Sequence, residues 1–205
     1  MTKSVDNSKQ YLKITASLLN SWSYQFHCEE QYAEKAREDF IKTLKRIKEP
    51  PNKYMLRGIE FEEKCYNGEF PQISEKVEGG AFQVYHEKEI VVDGKDIIVL
   101  GYADALKEGI VYDIKRVSRY DLQKYFHSYQ HHVYLFLLDN TYKFEYLVAQ
   151  GPSDKNLNYY VESYTRDEII DVKDIVAQFF DYLKSNNLYE IYEQNWKIKK
   201  GEVLL

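Results

Sequence analysis

The sequence predicts an α/β protein with a mixed central sheet flanked by helices, on three observations. The first third repeats apolar residues at three- and four-residue spacing, the period of amphipathic helices. The middle, Ala81 to Val117, is β-rich and interrupted at Asp93-Gly94 and Glu108-Gly109, dipeptides that favour tight hairpin turns. The remainder alternates between helical and strand-like patterns, which suits helices packed on a sheet.

Each element follows from its residues. Thr15 can cap a helix through Leu18, Leu19, Trp22 and Phe26. Tyr32, Ala36, Phe40, Leu44 and Ile47 make a second stripe, stopped at Pro50-Pro51 because proline cannot donate to the helix ladder. A third helix spans about Tyr54 to Tyr66. Strands Ala81 to Val92 and Ile97 to Leu106 meet at Asp93-Gly94, and a third, Ile110 to Val117, follows Lys107-Glu108-Gly109. A single helix is expected from Arg119 to Leu138, with Leu122, Tyr125, Tyr129, Val133 and Leu137 on one stripe. Strands Phe144 to Gln150 and Tyr159 to Tyr164 come next. Thr165-Arg166-Asp167-Glu168 reads as a capping box that opens a last helix through Ile169, Val172, Val176, Phe179 and Leu183. Residues 1–13 read as a flexible tail and 14–205 as a single domain with an N-terminal helical part, with Trp196 anchoring its end.

Composition excludes several classes. No run of about 18 apolar residues predicts a transmembrane helix, and the polar N-terminus lacks the apolar core of a secretory signal. Two cysteines, Cys28 and Cys65, without a CxxC pair cannot build a zinc ribbon, and a reduced, cytoplasmic protein is the simplest reading. The net charge of −5 argues against a protein that coats DNA nonspecifically. The charge is uneven, however: Lys115, Arg116, Arg119 and Lys124 face only Asp121 between residues 115 and 127. A binding groove needs a local positive field, not a positive total.

The chemistry concentrates in the hairpin. Residues two apart on a strand share a face, so Asp113 and Lys115 project together while Ile114 points to the buried side. If Glu108-Gly109 forms a two-residue turn, Asp104 lies opposite Asp113, whereas a bulge or a three-residue turn would shift that register. Two carboxylates facing each other repel, and a divalent cation removes that penalty; Mg²⁺ suits carboxylate oxygens and can activate water against a phosphodiester. Lysine can then stabilise the developing negative charge. Glu62 adds an acid on the third helix, four residues after Gly58, whose missing side chain is expected to let the helix approach the sheet. Gln130 and Tyr134 share a helix face downstream and offer an amide and a hydroxyl. Each piece alone reads as an ordinary surface pair or helix face; their order carries the argument. His131-His132 diverge by about 100° on a helix and cannot chelate together.

Taken together, Gly58-x-x-Phe61-Glu62, Gly101-Tyr102-Ala103-Asp104, Asp113-Ile114-Lys115 and Gln130-x-x-x-Tyr134, preceded by Ile14 to Trp22, resemble the PD-(D/E)XK nuclease superfamily, in particular its RecB-like and phage exonuclease branch. The resemblance runs from about residue 14 to about residue 150. It implies a restriction-endonuclease-like core and Mg²⁺ or Mn²⁺ as cofactor. Glu62, Asp104, Asp113 and the Ile114 backbone carbonyl would be ligands, Lys115 the catalytic lysine, and Gln130 and Tyr134 its assistants. Arg116, Arg119, Tyr120 and Lys124 are the candidate nucleic-acid contacts. Some members hold an iron–sulfur cluster with four cysteines; no cysteine follows Cys65, so no cluster is expected. The implied activity is a DNA exonuclease acting on linear ends in recombination, repair or phage replication, in a bacterial or phage-infected cell. Recombination or replication proteins are the implied partners, and a homo-oligomer is left open. A nuclease fold used as a non-catalytic DNA-binding or interaction subunit is the alternative; an endonuclease is a third.

Overall fold

Residues 9–199 are described by a computed structural model, in which the chain forms two compact units. The first unit takes the described residues up to 47, then 87–101, then those from 170. It opens on β1 (Gln10–Thr15), which pairs parallel with β3 (Lys95–Lys107) from Leu12↔Ile97 to Thr15↔Leu100, and antiparallel with β7 (Lys197–Lys199). Residues 10–13 are therefore strand, where the sequence suggested tail; residues 1–8 of that tail lie outside the described residues. A strand with neighbours on both edges and cover on both faces reads as a continuous apolar run rather than an alternation, and Tyr11, Leu12 and Ile14 are all buried.

Thr15 caps α1 (Ala16–His27) as expected, its Oγ1 accepting the Leu18 amide at 3.2 Å. With α2 (Ala33–Leu44), α7 (Val172–Ser185) and α8 (Tyr189–Asn195) it encloses an aromatic core in which Phe40, Phe179, Phe180 and Tyr192 are fully buried. Trp196 anchors this unit's end, donating from Nε1 to the Leu44 carbonyl at 3.0 Å.

The second unit takes residues 48–86 and 102–169. It holds α3 (Lys53–Tyr66), α4 (Pro71–Val77), β4 (Ile110–Val117), α5 (Leu122–Phe126), α6 (Gln130–Leu137), β5 (Lys143–Ser153) and β6 (Asn156–Thr165). Strands β2 (Ala81–Val92) and β3 run through both units. Here β3–β4 and β5–β6 pair antiparallel and β4–β5 parallel, so the sheet is mixed as predicted. The Glu108-Gly109 turn has two residues, both with positive φ (50° and 78°), the geometry that matches strand twist.

One face of this sheet, with Tyr112, Ile114, Leu147 and Ala149, is buried under Phe61 and Cys65 of α3 and Ile73 and Val77 of α4. The opposite face carries Asp113 and Lys115, paired in register with Tyr146 and Val148. Helix α4 has too few residues to show a period in the sequence. The expected 119–138 helix is broken at residues 127–129. Ser128 Oγ accepts the Gln130 amide at 3.2 Å and the Tyr146 hydroxyl at 2.9 Å, a local bond that competes with helix continuation. The Thr165 capping box forms, but closes a single 3-10 turn, Arg166–Glu168. Ile169 is extended, and Asp171 caps α7 instead, accepting the Lys173 amide at 2.8 Å. No helix among the described residues is long and apolar enough to cross a membrane.

Candidate active site

The second unit brings the hairpin acids together. The pairs Lys107↔Ile110, Leu106↔Val111 and Ala105↔Tyr112 set the register, and Asp104 Oδ2 takes the Ile114 amide at 2.8 Å. Asp113 is 3% exposed. Lys115 Nζ stands 2.6 Å from Asp113 Oδ2, a close ion pair. Gln130 Nε2 donates to Oδ1 at 2.8 Å, so the predicted amide does reach the acids. Tyr134 does not: its hydroxyl donates to the Tyr102 carbonyl at 2.6 Å and braces β3 two residues before Asp104.

Burial, then the charge of Asp113, pushes the Asp104 carboxyl up to about 7, with Lys115 opposing and Glu62 adding. Burial pulls the Lys115 ammonium down, but Asp113 and Asp104 more than offset it and hold it above the usual lysine range. The pocket thus stores repulsion that one lysine does not cancel.

Glu62 comes from α3, which packs on the opposite face from Asp113. Its Oε1 accepts from Gln83 Nε2 at 2.6 Å and from the Tyr66 hydroxyl, which also lies 2.9 Å from the Asp104 carbonyl oxygen. Gly58 does not explain the approach of this helix: a Cβ there would meet nothing within 4 Å. Among the described residues no group of three or more His, Cys, Asp or Glu side chains is arranged to hold a metal ion. Asp104 and Asp113 share the hairpin, and Glu62 reaches them from α3, its Tyr66 partner lying beside the Asp104 carbonyl.

The expected nucleic-acid contacts separate. The Arg116 side chain is 1% exposed and binds the carbonyls of Val117, Ala149 and Gly151 beside Asp154, so it ties strands together rather than facing a ligand. Arg119 is exposed. Lys124 is exposed as a residue, yet desolvation and then the Lys115 charge hold its ammonium below the usual range. Tyr120 stacks on Tyr160 with ring centroids 4.0 Å apart and bonds Glu162; Tyr125 is buried. His131 and His132 are core residues, pulled down to about 3 and about 4 by burial, with the neighbouring His132 adding to the shift at His131. A cleft of about 710 Å³, lined by Arg57, Ser118, Gln150 and Lys155 among others, contains none of the four acid and lysine residues above.

Sequence reasoning missed Tyr66 and Gln83. Tyr66 was accessible to it, since it lies four residues after Glu62 on one helix face. Gln83 carries no local signal; tertiary structure alone brings it to Glu62.

Among solved structures, the chain is similar to SSO0001, at 20% identity and a TM-score of 0.53, over 89% of this chain and 80% of that one. It is also similar to LHK-Exo, an alkaline exonuclease from Laribacter hongkongensis, in its complex with dAMP: 16% identity and a TM-score of 0.54, over 89% of this chain and 93% of that one. No family model and no curated protein matches the chain. At identities this low the likeness carries the fold alone, and that fold is one that a solved alkaline exonuclease also has.

Proposed function

We propose that this chain is a metal-dependent DNA nuclease, an exonuclease hydrolysing phosphodiester bonds at linear ends, with Glu62, Asp104, Asp113 and Lys115 as its active site. The observation that carries this reading is the buried acid pair: Asp113, 3% exposed with Lys115 Nζ 2.6 Å from its Oδ2, beside a second acid pushed up to about 7. Hard oxygen donors in surplus over lysine suit Mg²⁺ or Mn²⁺. Asp104 and Asp113 would hold such an ion, with Glu62 and the Ile114 carbonyl completing the set. When bound, the cation supplies Lewis-acid polarisation of the phosphodiester and a more acidic water. The chain's own residues do the rest. Gln130 fixes Asp113 by Oδ1, and the Ile114 amide fixes Asp104 by Oδ2, so neither acid swings away. Lys115, kept protonated by both acids, offers a cation to negative charge developing on the phosphate.

A second reading is a nuclease fold that binds DNA or a partner without cutting. The fold likeness and the unassembled donor set support it better than they support hydrolysis, since no three-acid group arranged to hold a metal is found among the described residues. The acid–lysine chemistry favours cutting, because a binding surface has no use for buried acids that repel. End-labelled linear DNA, single- and double-stranded, incubated with Mg²⁺, Mn²⁺ or EDTA beside closed circles separates the two. Metal-dependent loss of label from linear DNA alone, abolished in Lys115→Ala, is the expected result. Intact DNA under every metal, with binding retained, would establish the second reading; cutting of circles would make the enzyme an endonuclease.

A further inference from the structure

We infer that Tyr66 and Gln83 are positioning residues that hold Glu62 by one carboxylate oxygen and leave the other to ligate a divalent cation. The inference rests on the nuclease reading and adds a role for two residues outside its active-site set. Both donors converge on Glu62 Oε1, and no hydrogen bond to Oε2 is found among the described residues. A carboxylate anchored by one oxygen keeps a fixed direction for the other, which is how outer groups orient ligands around a metal.

Two further features make the arrangement a built one. Tyr66 lies within hydrogen-bond distance of both Glu62 and the Asp104 carbonyl oxygen, so one phenol spans the helix that carries one acid and the strand that carries another. Gln83 sits within strand β2 with φ of 51°, the left-handed region, which is strained for a non-glycine residue and persists only where the surroundings enforce it. That backbone accompanies an amide aimed at Glu62, and Gln83 Nε2 also lies 3.4 Å from the Tyr66 oxygen. The three side chains close a small polar network around one oxygen of one acid.

Mn²⁺ titration calorimetry on the full chain tests this without reading activity. Tyr66→Phe and Gln83→Ala are each expected to weaken Mn²⁺ binding by about 10-fold. Tyr142→Phe, the same chemical change at an exposed tyrosine, is expected to leave it unchanged. Gln83→Ala added to Glu62→Gln should weaken binding no further than Glu62→Gln alone, because the effect travels through Glu62. A merely structural role would show as a lower melting temperature of the metal-free Gln83→Ala protein, with additive effects in the double variant; that result overturns the inference. Wild-type affinity in both single variants overturns it alone. No Mn²⁺ binding by the wild-type protein overturns the nuclease reading, and the inference with it.

Discussion

Two buried acids one register step apart show what separates a completed ion pair from an acid cluster that shares one cation. Glu145, opposite Tyr112, lies 3.0 Å from Lys76 and 2.6 Å from Lys143. Burial pushes its carboxyl up, but the two lysines more than offset this and hold it below the usual range. Asp113, opposite Tyr146 on the other face, shares one lysine with Asp104, while Glu62 adds further negative charge. One sheet thus carries an acid with two cations and an acid cluster with one. The first arrangement is complete in itself. The second is short of positive charge, and in the proposed nuclease that deficit is what a divalent ion would relieve.

The contrast can be broken most strongly at the lysines. Lys115→Ala should lower DNA cleavage by ~10³ or more, whereas Lys143→Ala should change it less than about 2-fold, in the end-label assay at saturating Mg²⁺. Glu145→Gln comes next: it leaves Lys76 and Lys143 without their charge partner and should cost about 1–2 kcal/mol in urea unfolding. The opposite sign is expected at the cluster. Asp104 is higher in the folded state than in the unfolded one, so its contribution is fully present below the unfolded value and is lost as pH rises through about 7. In the metal-free state, the stability of wild type relative to Asp104→Asn should therefore fall by about 1 kcal/mol between pH 6 and pH 9. His131 and His132, depressed to about 3 and about 4, act in the opposite direction as pH rises to the unfolded histidine value, and they cancel in that difference because both proteins carry them. The smallest effect sharpens the account of Glu62. With open space around Gly58, Gly58→Ala should stabilise α3 by about 0.5–1 kcal/mol and leave Mn²⁺ affinity unchanged. A loss of affinity would restore a packing role for that glycine.

The hairpin was legible because its turn is local. Glu108-Gly109 sets the register, and the period of two then decides the faces of Asp104, Asp113 and Lys115. Gln130 was legible as an amide on the helix that follows the Lys115 strand, although that helix is short: Ser128 accepts the Gln130 amide where it starts. Tyr134 was placed on the right helix but misread, since spacing shows which face a hydroxyl shares and not whether a backbone carbonyl waits there. Arg116 was misread through charge. Nothing in a basic run distinguishes an arginine facing solvent from one folded under a hairpin against three carbonyls. Strand β1 escaped because its pairing partner, β3, lies more than eighty residues away.

Thermal melting of the wild-type protein and of Asp113→Asn at pH 8, with increasing MnCl₂, tests the charge deficit most directly. The wild type should rise in a saturable way by about 5 °C or more at concentrations far above Kd, and Asp113→Asn should not. Equal shifts in both proteins, or none in either, would contradict a cation held between Asp104 and Asp113.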